Sequence, residues 1–265
     1  MSSEIRNRFS SARVFTVPIA SFDPSLEAAL YTQRLTVLTD YAAACRQNRY
    51  WADSIKDQAG ALVFADEGPG RPGADGRQTH LVCSLADDLS CNSWLEPALE
   101  AEQWVSVGTY CEFSMTAPLS TDWCGAFTID GTAIADGVLV ARDARCSDIG
   151  DARIRAADQL RSALVARRPI TLQLDHGVLT SVTAGGENFT DAVLEATNPE
   201  YGLHTIELGI GTNQHVLPHL KWNINSQLNE GAGDVHLGFG EGITGAHMDF
   251  IVARADHHFE PPACP

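Results

Sequence analysis

Four residues in the last third of the chain have the types and spacing to hold a divalent cation. They are Glu207 in ELGIGTN, His236 in DVHLGFG, and His247 with Asp249 in AHMDF. Neutral imidazoles and carboxylates ligate metals of borderline hardness, and two histidines with one carboxylate also make the facial set of a non-haem iron(II) site. In a strand, residues i and i+2 point the same way, so His247 and Asp249 can converge on one ion. An H-x-D pair alone recurs by chance; its weight comes from the glycine-rich, strand-like company. Each residue also has a plainer role open to it. His236 can be a core histidine bonded to backbone, His247 and Asp249 a structural hydrogen-bonded pair, and Glu207 a salt-bridged acid at a strand end.

Other chemistries find less support. No Gly-x-Ser-x-Gly elbow is present. GIGTN is followed by no lysine and lacks G-x-G-x-x-G spacing, which argues against a nucleotide loop. Cys124 reads as a small buried residue, His215 and His219 as polar residues of a loop, and His257-His258 as part of a terminal tail.

The elements that must position the four residues divide the chain in two. Residues 1–118 read as a smaller α/β part, and residues 119–265 as a β-rich C-terminal domain, giving an α/β (α+β) fold class. In the first part, RVFTVP, ALVFAD and THLVCSL read as strands. Pro24 to Asn48 reads as one helix with Asp23 as its cap, 88–103 as a short helix, and WVSVGTYCEFSM (104–115) as a strand pair. EGPGRPGADGRQ is a Gly/Pro-rich linker. In the second part, GAFTIDGTAIADGVLVA reads as paired antiparallel strands and ITLQLDHGVLTSVTAG as a hairpin turning at Asp175-His176-Gly177. Residues 151–166 and 187–197 read as helices, and IELGIG, DVHLGFG and HMDFIVA as strands.

Composition bounds the function. The 265 residues carry a net charge of −16, which argues against binding a phosphate backbone; no nucleic-acid partner is expected. No apolar run approaches the roughly 18 residues of a membrane span, and no signal-peptide pattern opens the chain. Seven scattered cysteines without a C-x-x-C read as reduced thiols of a cytoplasmic protein.

The ELGIGTN segment, the histidine strand ending in a glycine turn, and the terminal H-x-D resemble the C-terminal domain of the leucyl aminopeptidase/aminopeptidase T family of metallopeptidases. The likeness spans about residues 120–252 and is most specific over 205–252. The same segments resemble 2,5-dihydroxypyridine dioxygenases, which use one iron. The resemblance implies a truncated aminopeptidase T-like architecture in which Glu207, His236, His247 and Asp249 match the later ligands in order. In the peptidases a further Glu completes a two-metal site; in the matching segment, 123–140, this chain has Gly125-Ala126 where the family has Gly-Glu. A methyl group cannot ligate, so hydrolysis by a two-metal clamp is not expected.

Three readings follow. One is a non-hydrolytic, peptide-binding pseudoenzyme that holds no cofactor. It is similar to the proteins that handle precursor peptides in crocagin-type ribosomal peptide natural-product (RiPP) biosynthesis. The second is a mononuclear dioxygenase-like enzyme with one Fe or Zn. The third is an active aminopeptidase. The binder accounts best for Ala126 and the shortened chain, and a homodimer is expected because shortening leaves strand edges to cover.

Overall fold

The computed structural model describes residues 7–8, 11–57, 60–66, 78–85, 89–96, 98–116, 127–143 and 148–260. Cys124, Gly125 and Ala126 lie outside the described residues, as does nearly all of the Gly/Pro-rich linker.

The chain opens with β1 (Val14–Thr16), α1 (Leu26–Leu38), α2 (Tyr41–Asp57), β2 (Ala61–Ala65), β3 (His80–Leu85) and β4 (Ser90–Asn92). Next come β5 (Trp104–Ser106), α3 (Val107–Cys111), β6 (Glu112–Thr116), β7 (Phe127–Ala135), β8 (Gly137–Ala141) and α4 (Asp148–Ala166). Then follow β9 (Ile170–Asp175), β10 (Val178–Ala184), β11 (Glu187–Asn188), α5 (Thr190–Ala196), β12 (Thr205–Gly211), β13 (Val235–Phe239), β14 (His247–Val252) and β15 (Asp256–Glu260). Two 3-10 segments, Gln214–His219 and Gln227–Ala232, lie between β12 and β13. The fold is α+β and rich in strand.

Two antiparallel sheets carry the architecture. One has seven strands in the order β11-β10-β9-β7-β3-β2-β15, the other six in the order β4-β6-β12-β13-β14-β8. Each sheet takes strands from both sides of residue 119. Alternation gives each strand one apolar face. Phe113, Met115, Leu208, Leu237 and Phe250 of the six-stranded sheet share one buried core with Phe64, Leu81, Ile129 and Leu172 of the seven-stranded sheet. A second cluster joins Tyr31 and Leu35 of α1, Tyr110 of α3, and Val216 and Leu228 of the 3-10 segments. The segment Gln227–Ala232 packs on β6, β8, β12 and β14. Among the described residues, no helix is long and apolar enough to cross a membrane.

Several local expectations are corrected. The helix expected over 24–48 is two helices. Thr39 leaves the helical region, and Asp40 accepts from the Ala43 backbone N–H at 2.9 Å to start the second. The cap of α1 is Ser25, whose hydroxyl accepts from Ala28 N–H; Asp23 instead accepts from Ser25 N–H. The described part of 88–103 holds β4 and loop, not a helix. Residues 104–115 form strand, helix, strand: after Ser106 the chain coils so that Gly108 packs on the Gln227 side chain, where a Cβ would overlap. The strands β7 and β8 do not pair. Asp136 between them donates its N–H to Ile251 of β14, and its carboxylate accepts from Ala253, which carries β8 into the other sheet. His257 and His258 sit in β15, paired with β2. The hairpin of β9 and β10 and the strands β12, β13 and β14 form as expected.

Candidate metal centre

Register decides which side chains meet. On β12, Leu208 and Ile210 enter the core, so Glu207, Gly209 and Gly211 share the opposite face. Cross-strand pairing sets Gly211 opposite Glu112, Gly209 opposite both Ser114 and His236, and Gly238 opposite both Glu207 and Asp249. One face of four adjacent strands therefore presents Glu112, Glu207, His236, His247 and Asp249. Each of Glu112, His236 and Asp249 faces a glycine on the neighbouring strand. The glycines supply the room: a Cβ on Gly209 would overlap the His236 ring. One on Gly238 would lie 2.8–2.9 Å from Glu207 Cβ, the His247 ring and Asp249 Oδ1. Glu230 reaches the same cluster from the 3-10 segment above the sheet.

Six donors form two groups, Glu112–Glu230–His236 and Glu207–His247–Asp249, within each of which the ligand atoms all lie within 4.8 Å of one another. Glu207 stands between them, 3.7 Å from His236 Nε2 and 3.3 Å from His247 Nε2. The Ser114 hydroxyl donates to Glu207. His247 Nδ1 donates to the Gly240 carbonyl at 2.6 Å, which aims Nε2 at Glu207 and at Asp249 Oδ1, 2.9 Å away. A backbone partner on the far ring nitrogen is how ligating histidines are commonly oriented. Both ring nitrogens of His236 and Glu112 Oε2 are buried without a hydrogen-bond partner, and Asp249 Oδ1 is buried against His247 Nε2. Buried polar atoms are normally satisfied, so these unpaired atoms single out the cluster as a candidate site.

Electrostatics agree. Burial pushes the Glu112 carboxyl up to about 7, with Glu207 and Asp249 adding to the effect against His236. Burial, followed by the neighbouring carboxylates, holds Glu230 well above its ordinary value. For Glu207 burial works against ionisation, but the two imidazoles prevail and keep it below the usual carboxylate range. For His236 and His247 burial opposes the charged form and the carboxylates overcome it, so both are raised.

The two groups differ in access. The side chains of Glu207 and His247 are 18% and 17% exposed, whereas His236 is 1% exposed. Glu207 and His247 line a cleft of about 420 Å³ with Pro18, Phe22, Ile206, Arg142 and Glu241 on its walls. The structure thus gathers all four residues expected from the sequence and adds Glu112 and Glu230. Glu112 had a readable signal, the polar–apolar alternation of Glu112, Phe113, Ser114, Met115 and Thr116 that now forms β6. Glu230 sits in a non-periodic stretch with no such signal. His215, His219, His257 and His258 belong to neither group. A third acidic group, Asp130–Asp175–His176, closes the exposed β9–β10 turn, where the Asp130 carboxylate accepts from His176 N–H.

No match to a curated protein is found. The family model described as "Crocagin biosynthetic protein CgnE/B" matches residues 1–260, a span that contains both sheets and all six donors. With that coverage, the chain belongs to the crocagin biosynthetic protein CgnE/B family, a family of natural-product biosynthesis.

Proposed function

We propose that this chain binds a peptide intermediate of ribosomal natural-product biosynthesis in the cleft, and that Glu207, His247 and Asp249 hold one divalent cation at its floor. The observation that carries this reading is the cleft itself, which ends on Glu207 and on His247, whose Nε2 faces two carboxylates. The donors fit such an ion: they are oxygen and imidazole nitrogen, and one atom of each lies within 4.8 Å of the others. Pro18, Phe22 and Ile206 give an apolar wall for a side chain, while Arg142, Asp143 and Glu241 offer charged partners for polar groups of the ligand. A bound divalent ion would polarise a peptide carbonyl and acidify bound water. Gly240 orients His247, and Ser114 holds Glu207.

A second reading, metal-dependent peptide hydrolysis, is favoured by one observation. Glu112 and Glu230 supply the carboxylates that Ala126 cannot. Titration calorimetry with the precursor peptide encoded beside the gene, with and without Mn²⁺, separates the two. Saturable binding with the peptide recovered intact by mass spectrometry supports the binder. Cleavage that stops in Asp249→Asn establishes the hydrolase. No binding under either condition sinks both. An oxygen electrode with iron(II) and dihydroxylated aromatics tests the dioxygenase alternative, for which uptake abolished by His247→Ala would be required.

A further inference from the structure

We infer that β15 is a docking edge for an extended, basic polypeptide segment, which joins the seven-stranded sheet as an added outer strand. None of its residues lines the cleft, so this surface stands or falls apart from the peptide site proposed there. The backbone N–H and C=O groups of an edge strand are a template for another chain unless something covers them. Of the four edges of the two large sheets, three are covered or short. On β8, Asn225 bonds both the N–H and the carbonyl of Val140, and Arg161 donates to the carbonyl of Val138. Behind β11, which has two residues, the outer side of β10 is taken up by Leu203, His204 and the Thr190 hydroxyl. The edge strand β4 has three residues. By contrast, β15 pairs with β2 over all five of its residues, and among the described residues no strand and no backbone hydrogen bond occupies its other side.

The side chains of β15 say what fits. Alternation puts His257 and Phe259 on one face, where their rings lie 4.5 and 6.3 Å from that of Trp51 on α2. That contact holds the strand in place before any partner arrives. The other face carries Asp256, His258 and Glu260, all exposed, with His258 Nε2 3.7 Å from Glu260 Oε1. A second copy of the chain is a poor occupant. Antiparallel pairing of β15 with itself about His258 sets each Asp256 against the Glu260 of the other copy, and like charges directly opposite destabilise a strand pair. A segment with Lys or Arg at two positions four apart turns both contacts into attractions, and apolar residues between them, at the alternate positions, extend the face of Phe259. The net charge of −16 draws in such a segment and repels an acidic one.

The test is titration of the isotope-labelled full chain with the end-blocked peptide Lys-Val-Thr-Val-Lys, read by amide chemical shifts. Saturable binding at up to about 1 mM peptide is expected, with the shifts centred on β15 and β2. Asp256→Lys with Glu260→Lys should weaken this peptide about tenfold and should bind the acidic counterpart Glu-Val-Thr-Val-Glu, which the wild type rejects. A second peptide carries N-methyl groups on the central Thr and the Val after it. One of two adjacent N–H groups must face β15, so this peptide keeps its charge and should lose about tenfold in affinity. Binding that survives N-methylation is a charge contact without an added strand, and it overturns the inference. So do shifts centred on the cleft residues Ile206 and Gly242, equal binding to wild type and to the reversed variant, or no saturable binding. If the reversed variant fails to fold, the N-methylated peptide on the wild type decides.

Discussion

His236 shows how a buried imidazole is accommodated by the residue it faces. Its ring occupies the space that a side chain at Gly209 would fill. Gly209→Ala should therefore displace the ring without altering any donor. Overpacking of this kind costs about 1–3 kcal/mol. The expected result is a melting temperature several degrees lower and loss of bound Mn²⁺, read by calorimetry and elemental analysis. The protonation of the same residues sets a pH dependence. Glu112 is raised from 4.5 to about 7, and Glu230, His236 and His247 are raised as well. The folded, metal-free chain holds protons there that the unfolded chain would release. The stability these groups lend is complete below their unfolded values and is lost as pH rises, for Glu112 between 4.5 and about 7. Glu207 acts in the opposite sense, lending stability above its unfolded value that is lost in acid. The melting temperature of metal-free protein should fall as pH rises from 4.5 to about 7, and saturating Mn²⁺ should offset that fall, because ions replace the protons and bind more tightly as pH rises. A flat metal-free profile would count against the cluster being proton-filled.

At the scale of elements, β8 shows why part of the fold was legible in sequence and part was not. Its alternation marked it as a strand, yet nothing local specified its partner. Pairing was decided by Asp136, bonded to β14, and by Asn225, whose side chain accepts from Val140 N–H at 3.0 Å and donates to its carbonyl at 2.6 Å. Arg161 adds bonds to the carbonyls of Val138, Trp222 and Asn223, fastening β8 to the chain before the second 3-10 segment. Such long-range side-chain bonds carry no periodicity. The same limit hid Glu230, while His247 and Asp249 were readable because strand geometry alone makes them converge. Glu112 carries the alternation of β6, but nothing local places β6 beside β12. Asn225→Ala leaves two buried backbone groups unpaired at about 1–3 kcal/mol each. We expect a melting temperature lower by about 5–10 °C, with the far-ultraviolet spectrum of the native fold retained at 20 °C.

For the whole molecule, the outer face of α1 leaves Leu26, Leu30 and Val37 exposed at 75%, 57% and 79%. The proposed homodimer would cover such surface, and light scattering should return twice the 28.5 kDa chain mass. Leu30→Glu with Val37→Glu should give the monomer mass if this face is the contact; a wild type already at the monomer mass would end the idea. The net charge of −16 adds a solution signature, since association with a cationic peptide should slow as salt is raised from 50 to about 500 mM.

The interleaving of the two sheets has a consequence for how the protein comes into being. The strands β2, β3, β4 and β6 leave the ribosome before their neighbours β7, β12 and β15 exist. Glu112 is made early, but His247 and Asp249 are among the last residues described. Until they emerge, the nascent chain lacks β14 and β15, and the group of Glu207, His247 and Asp249 is incomplete. Any cation held by Glu207, His247 and Asp249 would therefore be captured only after β14 has been made.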